Sequence, residues 1–211
     1  MRNMACFPLF LELEDKNVLV VGGGRVGTEK ALVLLQFGAA VRVVSKTMSA
    51  ELQTAALGNP RLTLVCRAFC DEDIGEIALC IDATDSSAVN ERVAALCTAK
   101  KIPVNVVDQV ERCSFYFPAI VKRENIVCGI SSGGKSPLVA QFLRRRITEA
   151  IPPFLPEINE RMGSLRRIVK EKCGSQKKRA AVFRAVFERL IKSENALGED
   201  EIQKIISDTG E

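Results

Sequence analysis

The chain has 211 residues, 47% of them hydrophobic and 27% charged, with a formal net charge of +4, a composition that suits a soluble globular protein of one large or two smaller domains. It contains no histidine, which excludes His-based triads, His general bases and the commonest metal ligand and leaves proton transfer to a carboxylate, Lys, Tyr or Cys. No apolar run reaches the roughly 18 residues that a membrane span requires, so a membrane protein is not expected.

The opening segment MRNMACFPLFLELEDK carries one Arg and a short apolar patch, and acids follow at once without a small-residue cleavage site. It reads as an entry strand or loop rather than a signal peptide. Residues 17–44, NVLVVGGGRVGTEKALVLLQFGAAVRVV, organise the rest. The β-branched run 18–21 predicts a buried parallel strand. Gly22, Gly24 and Gly27 then follow in the order G-x-G-x-x-G, Ala31, Leu32, Leu34 and Leu35 recur at helical spacing, and Gly38 ends that helix. A second apolar run at 41–44 completes a strand–helix–strand unit of the size a dinucleotide fingerprint needs. In that reading Gly22 makes the tight turn, Gly24 lets the backbone approach a pyrophosphate, and Gly27 lets the helix pack on the strand. The helix N-terminus offers N–H groups and a positive dipole end to the phosphates.

A short helix is expected at 49–57, closed by Gly58-Asn59-Pro60, then strands at 62–66 and 79–84 separated by a polar turn at 71–75. A helix at 87–101 and a strand at 104–107 complete the alternation, which argues a doubly wound parallel sheet with ligands at the carboxyl ends of its strands. The alternation stops near Cys113. Apolar runs at 117–121 and 126–130 around Lys122-Arg123-Glu124-Asn125 suggest a hairpin. Ser136 can cap a following helix, with Pro137 at its first position, running to the break at Pro152-Pro153. Helices are expected at 155–173, 178–192 and 199–206. The fold class is therefore α/β, a Rossmann-type domain over 1–112, a small α+β segment over 113–150 and a helical domain over 151–211. Eight dispersed cysteines without a C-x-x-C pair fit structural thiols in a reducing cytoplasm. The excess of Lys and Arg falls from Ser131 onward; a polyanionic ligand and plain solvated helix faces both fit it, and no nucleic-acid motif is present.

The candidate site residues follow from position. Rossmann units that bind NAD usually carry an acid about 20 residues past the glycines, whereas here the second strand ends in Ser45-Lys46-Thr47 with Arg42 inside it. Ser45 and Thr47 can bond a ribose hydroxyl, and Lys46 with Arg42 hints at NADP, so these residues leave the cofactor's phosphate state open. Thr84, at the end of the fourth strand, is assigned to the cofactor. Asp108 follows the fifth strand at the ligand-binding end and is the best-placed carboxylate for acid or base work; the alternative is an Asp that caps a loop. Asn105 sits close by and is assigned to substrate. Ser131, Ser132 and Lys135 belong to a loop that is either an anion nest or a plain helix entry. Arg145, in the run Arg144-Arg145-Arg146, is a candidate for ligand carboxylates, although three consecutive residues spread round a helix. No metal-ligating set is assigned.

Taken together, FPLFLEL, VLVVGGGRVGTEKALVLLQFGAAVRVVS, ATDSSAVNERV, IPVNVVD, CSFYFPAIV and ISSGGKSP, in this order between Phe7 and Ile147, resemble the precorrin-2 dehydrogenase family, the siroheme-synthase N-terminal domain type. The resemblance implies a homodimer built from a Rossmann domain, a central dimerisation segment and C-terminal helices. It implies oxidation of the tetrapyrrole precorrin-2 to sirohydrochlorin with NAD⁺, the substrate lying between the first domain and the basic helical part. Some members also insert Fe²⁺, which makes a bifunctional dehydrogenase and ferrochelatase the alternative. The family's essential Asp falls on Asp108, the second Ser of its SSGG motif, phosphorylated in some fused members, on Ser132, and its cofactor contacts on Arg25, Val26, Lys46 and Thr47. The family lacks an acid after its second strand and uses NAD, which outweighs the NADP hint. Glu29 stands where Arg is common, Val110 where Pro often follows the Asp, and Gln141 where Arg is frequent; the last removes one possible substrate contact. No methyltransferase domain follows, so the stand-alone form is expected. A nucleotide-sensing regulatory module would need neither NVVD nor SSGGKSP, and both count against it.

Overall fold

The computed structural model describes residues 6–210; the first five residues of the opening segment lie outside the described residues, and the stretch from Cys6 to Lys16 forms neither helix nor strand. Five strands, β1 (Asn17–Gly23), β2 (Ala40–Met48), β3 (Leu62–Cys66), β4 (Leu79–Asp82) and β5 (Val104–Val106), form one parallel sheet in the order β3-β2-β1-β4-β5. Helices α1 (Arg25–Leu35), α2 (Ala50–Gly58) and α3 (Ser87–Ala99) make the crossovers, giving the expected doubly wound Rossmann-like α/β fold. The strand order reverses between β1 and β4, so the crevice beyond their carboxyl ends is where such a sheet takes its ligands.

The continuous apolar runs have a direct cause, because the central sheet is covered on both faces. Val18, Val20, Val41, Val43, Leu62, Leu79 and Ile81 pack with Ala31 and Leu34 of α1 and Leu52 of α2. The alternate residues Leu19, Val21, Val44, Cys80, Val104 and Val106 pack with Val93, Ala94 and Cys97 of α3. All eight cysteines are free thiols, and Cys80, Cys97 and Cys173 are buried in core positions, whereas Cys6 and Cys66 are exposed.

Local differences from the expected elements trace to pairing. β2 runs on through Met48 because a bulge between Val21 and Gly23 lets Gly23 pair with Met48, so Ser45, Lys46 and Thr47 lie within the strand. β4 stops at Asp82, short of Thr84, because the pairing of β1 with β4 ends at Val21 and Asp82.

The chain divides into two compact units, Pro8–Phe117 and Pro118 onward. In the second, β6 (Ala119–Arg123) and β7 (Ile126–Ile130) form an antiparallel hairpin in which Arg123 pairs with Ile126. Lys122 and Arg123 therefore belong to the strand rather than the turn, which shrinks to Glu124 and Asn125, with Glu124 in the left-handed region at φ 51°. Helix α4 (Pro137–Ala150) begins as expected, Ser136 Oγ accepting from the Val139 N–H at 3.3 Å. Helices α5 (Leu155–Lys172), α6 (Gln176–Lys192) and α7 (Glu199–Gly210) share a core of Ile158, Leu165, Val169, Val182, Val186, Leu190, Ile202 and Ile206. α6 starts two residues earlier than its apolar pattern predicts because Ser175 caps it, accepting from the Lys178 N–H at 3.2 Å. No helix among the described residues is long and apolar enough to cross a membrane.

Candidate functional site

At the carboxyl end of β1 each glycine is constrained differently. Gly22 has φ +106°, and a Cβ there would lie 2.5 Å from the Ala83 carbonyl oxygen at the end of β4, so both the turn and the strand spacing require glycine. A Cβ on Gly27 would lie 1.9 Å from the Gly22 carbonyl oxygen, so α1 can sit this close to β1 only without a side chain. A Cβ on Gly24 would meet nothing within 4 Å. Gly24 thus leaves open space at the N-terminus of α1, and a phosphate group fits there, facing unpaired N–H groups and the positive dipole end.

The glycine motif does not mark the residues that lock this turn. A Cβ on Gly23 would come within 2.5 Å of the Thr47 carbonyl oxygen. The Gly23 carbonyl accepts from the Ser49 N–H at 2.9 Å. Buried Thr28 donates to the Gly24 carbonyl at 2.8 Å, and its hydroxyl lies 2.8 Å from that of Ser49, which in turn accepts from the Leu52 N–H and caps α2. Two hydroxyls therefore tie the glycine turn to the start of α2. A signal for them exists in the sequence: Ser49 is an N-cap residue and Thr28 lies on the buried face of α1.

Arg25 and Val26 open α1. Arg25 is exposed and paired with Glu29 at 2.7 Å, so Glu29 partly neutralises the cation at the start of α1. Ser45 is half-buried, and Lys46 and Thr47 are exposed at the end of β2. Arg42 does not join them, because its guanidinium donates to the Asp73 carbonyl at 2.8 Å and faces the Asp73 carboxylate at 3.6 Å. Asp73, buried, also takes a bidentate pair from Arg67 at 2.7 Å on each oxygen. Burial alone would raise the Asp73 carboxyl, but Arg67 and the Cys70 N–H outweigh it and hold the group below the ordinary range. Arg42 thus belongs to a structural cluster.

The next strand ends complete the site. Asp108 lies just past β5, exposed, in the left-handed region at φ 61°, a conformation in which Asp is tolerated and which recurs at functional turns. Among the described residues its carboxylate has no ion pair. The turn that carries it is held from below: the Val107 N–H donates to the Asp82 carbonyl at 2.9 Å and the Gln109 N–H to the Val106 carbonyl at 3.2 Å. The Cys113 Sγ lies 3.2 Å from the Val106 carbonyl oxygen and 3.4 Å from that of Gln109, so its single S–H can bond either. Asn105 is buried and donates to the Phe115 carbonyl at 3.1 Å, so its amide N–H is spent on holding the chain after β5. Thr84 is half-buried, its N–H donating to Asp82 Oδ1 at 3.3 Å and its Oγ1 accepting from the Ser86 N–H at 3.4 Å.

Asp82 is a further residue that no motif marks. It is 1% exposed, and burial pushes its carboxyl up to about 7. Its sequence signal is a lone Asp on the face that Cys80 shares with the core, where a period-two strand should place an apolar residue.

In the second unit, Gly133 and Gly134 both have positive φ, at 63° and 71°. Ser131 Oγ accepts from the Gly133 N–H at 3.1 Å, Ser132 Oγ from the Ser136 N–H at 3.3 Å, and the Ser132 carbonyl from the Lys135 N–H at 3.3 Å. Three N–H groups of the loop are thus bonded inside it, which favours the helix-entry reading over an open anion nest. Lys135 is exposed. The three arginines diverge as helical geometry requires: Arg145 lies 5.9 Å from the centroid of the Phe142 ring and Arg146 lies 3.5 Å from Glu149.

Residues 9–119 match the family model described as "Putative NAD(P)-binding". The chain is 39% identical over 206 residues to the siroheme synthase of Neisseria meningitidis serogroup C / serotype 2a, covering 95% of this chain and 42% of that protein. It is 40% identical over 185 residues to the siroheme synthase of Psychrobacter cryohalolentis, covering 88% and 35% respectively. The chain thus spans about two fifths or less of the length of these relatives. A solved structure described as SirC, precorrin-2 dehydrogenase superposes with a TM-score of 0.69 at 22% identity, covering 97% of this chain and 98% of that one, a likeness of fold. The expected NAD cofactor is in keeping with the NAD(P)-binding domain.

Proposed function

The chain belongs to this NAD(P)-binding family, and on that premise we propose that it is of the precorrin-2 dehydrogenase and siroheme-synthase N-terminal type and oxidises precorrin-2 to sirohydrochlorin with NAD⁺. The observation that carries the reading is the joining of two features at one end of the sheet. The open glycine turn at Gly24 ends β1, and an exposed, conformationally constrained carboxylate, Asp108, follows β5. The reaction removes two hydrogens, one as hydride and one as proton. NAD⁺, when bound, supplies the hydride acceptor.

The chain's own residues bind, orient and take the proton. The N–H groups at the start of α1, opened by Gly24 and flanked by Arg25 and Val26, hold the pyrophosphate. Ser45, Lys46 and Thr47 take the adenosine side, and the engagement of Arg42 with Asp73 supports NAD over NADP. Thr84 lies where β4 meets the glycine turn and contacts the cofactor. Asp108 accepts the proton. Asn105, Ser131, Ser132, Lys135 and Arg145 are the proposed substrate contacts, Lys135 and Arg145 through its carboxylates. The working form is a homodimer, supported by the apolar side chains that α4 exposes.

Anaerobic incubation of the purified protein with precorrin-2 and NAD⁺ tests the reading. Sirohydrochlorin and NADH should appear in equal amounts, and NADP⁺ should serve poorly. Binding of NAD⁺ without any turnover would favour the nucleotide-sensing alternative.

A further inference from the structure

At the reversal of strand order, three polar side chains connect the interior of the sheet to the turn that carries Asp108. Asp82 closes β4 between Val21 of β1 and Val106 of β5. Its Oδ1 accepts from the Thr84 N–H at 3.3 Å. Asn90, buried in the first turns of α3, satisfies its neighbours in one amide orientation. Its nitrogen then donates to Asp82 Oδ2 at 3.0 Å and to the Ser86 and Thr84 carbonyls at 3.2 Å, and its oxygen accepts from Gln109 Nε2 at 2.8 Å. Gln109 immediately follows Asp108. A buried carboxylate with no cation beside it is costly, and a fold that keeps one in the core next to its ligand crevice invites a functional reason.

We propose that Asp82 is a positioning residue of this site, its buried carboxyl group acting through Asn90 and Gln109 to set the turn that presents Asp108, and through Thr84 to set the end of β4 under the glycine turn. The inference rests on the dehydrogenase reading for the role of Asp108, but the coupling itself does not. Burial raises the Asp82 carboxyl to about 7, so its charge changes across neutral pH and the strength with which it holds Thr84 and Asn90 changes with it: the ionised form accepts stronger hydrogen bonds. The groups facing it are few. α3 brings the Cys97 thiol, β4 itself the Cys80 thiol, β1 and β5 bring valines, and the turn after β5 reaches the network through the neutral Gln109. Among the described residues no cation pairs with Asp82. The coupled turn thus carries a built-in dependence on pH through Asp82.

The test uses the full chain labelled with ¹⁵N, without substrate. The amide signals of Thr84, Val107 and Gln109 are followed from mildly acidic to mildly alkaline pH, with thermal melting as a check on folding. In the unaltered protein the three should shift together with one midpoint near neutrality. Asp82→Asn should remain folded and abolish the shift. Gln109→Ala, a change at a half-buried turn residue, should leave Thr84 titrating while the response of Val107 falls severalfold. Flat signals in the unaltered protein, an unchanged titration in Asp82→Asn, or an undiminished Val107 response in Gln109→Ala would each overturn the coupling. With substrate present, kcat should show an ionisation near neutral pH that Asp82→Asn lacks, with the KM for NAD⁺ little altered. An inactive unaltered protein whose turn still titrates would overturn the dehydrogenase reading and leave this inference standing.

Discussion

Asp108 and Asp82 are both aspartates beside the same crevice, yet one is exposed on a strained turn and the other is sealed in the sheet. Asp108→Asn keeps the shape and removes the basic lone pair, so dehydrogenation should fall by about 10²–10⁴-fold with NAD⁺ binding retained; single-turnover rates and melting on the same preparation check this, since a loop-capping Asp would lower stability and spare the rate per folded molecule. For Asp82 the folded pKa is raised from 3.8 to about 7. Between those values the native state keeps a proton that the unfolded state has lost, so this group's contribution to stability declines as pH rises through the window, to a cost of up to roughly 4 kcal/mol above it. Asp82→Asn should therefore raise Tm more at pH 8 than at pH 5, the gain shrinking steadily as pH falls toward the ordinary carboxyl range. Equal effects at both would mean that the carboxyl ionises in the fold without penalty. Gly24 and Gly27 form a second contrast. Gly24→Val should fold normally, because its Cβ position is open, and on the proposed reading should lose NAD⁺ binding. Gly27→Ala should fail in folding before binding can be asked, because its Cβ would collide with the Gly22 carbonyl oxygen. Calorimetric titration with NAD⁺ and melting of both variants separate the two cases.

The elements add what single residues cannot. α1 begins at Arg25 with no side chain capping it, so its first N–H groups remain available for phosphate, whereas α2 is capped by Ser49. The Thr28–Ser49 hydroxyl pair links the two helix starts, and Thr28→Val should therefore weaken NAD⁺ binding by loosening the turn, as well as cost about 1–3 kcal/mol of stability through the unpaired partner; parallel measurements of Kd and Tm check both halves. α4 presents a different problem. Leu138, Val139, Phe142 and Leu143 are 75%, 49%, 53% and 38% exposed, spaced to share one side of the helix. A contiguous apolar face of this kind on a protein marks a contact surface.

At the scale of the molecule, that face is the basis for expecting a symmetric dimer, in which the same patch meets itself across a two-fold axis. Sedimentation at micromolar concentration should show a dimer, and Leu138→Asp with Phe142→Asp should give a folded monomer. A monomer for the unaltered chain at every concentration would remove the claim. The two compact units differ in how they are built, a doubly wound sheet with two helix-covered faces in one and a hairpin with four helices in the other. The stability of each rests on its own core, since the clusters of buried apolar residues are confined within units.

The sheet, its helices and the glycine turn between β1 and α1 were legible in the amino-acid order, because these depend on local pattern: apolar runs long enough for strands, helical spacing between them, and glycines at a fixed offset from a strand end. The same pattern put Asp108 just past the carboxyl end of β5, where the fold has it. Register was not legible. The extra length of β2, the early end of β4 and the two-residue turn after Arg123 are set by which residues pair across strands, and pairing is a relation between distant segments. The same holds for side chains whose role depends on what faces them. Arg42 reads in sequence as a hint of NADP, but Asp73 stands opposite it; Asn105 reads as a polar residue in a strand, and its donation to the Phe115 carbonyl is visible only in the fold. Asp82, Asn90 and Gln109 lie on three different elements, and no periodicity joins them. They come within hydrogen-bonding distance only in the folded chain, because parallel pairing of β1, β4 and β5 stacks their ends and sets the start of α3 against them.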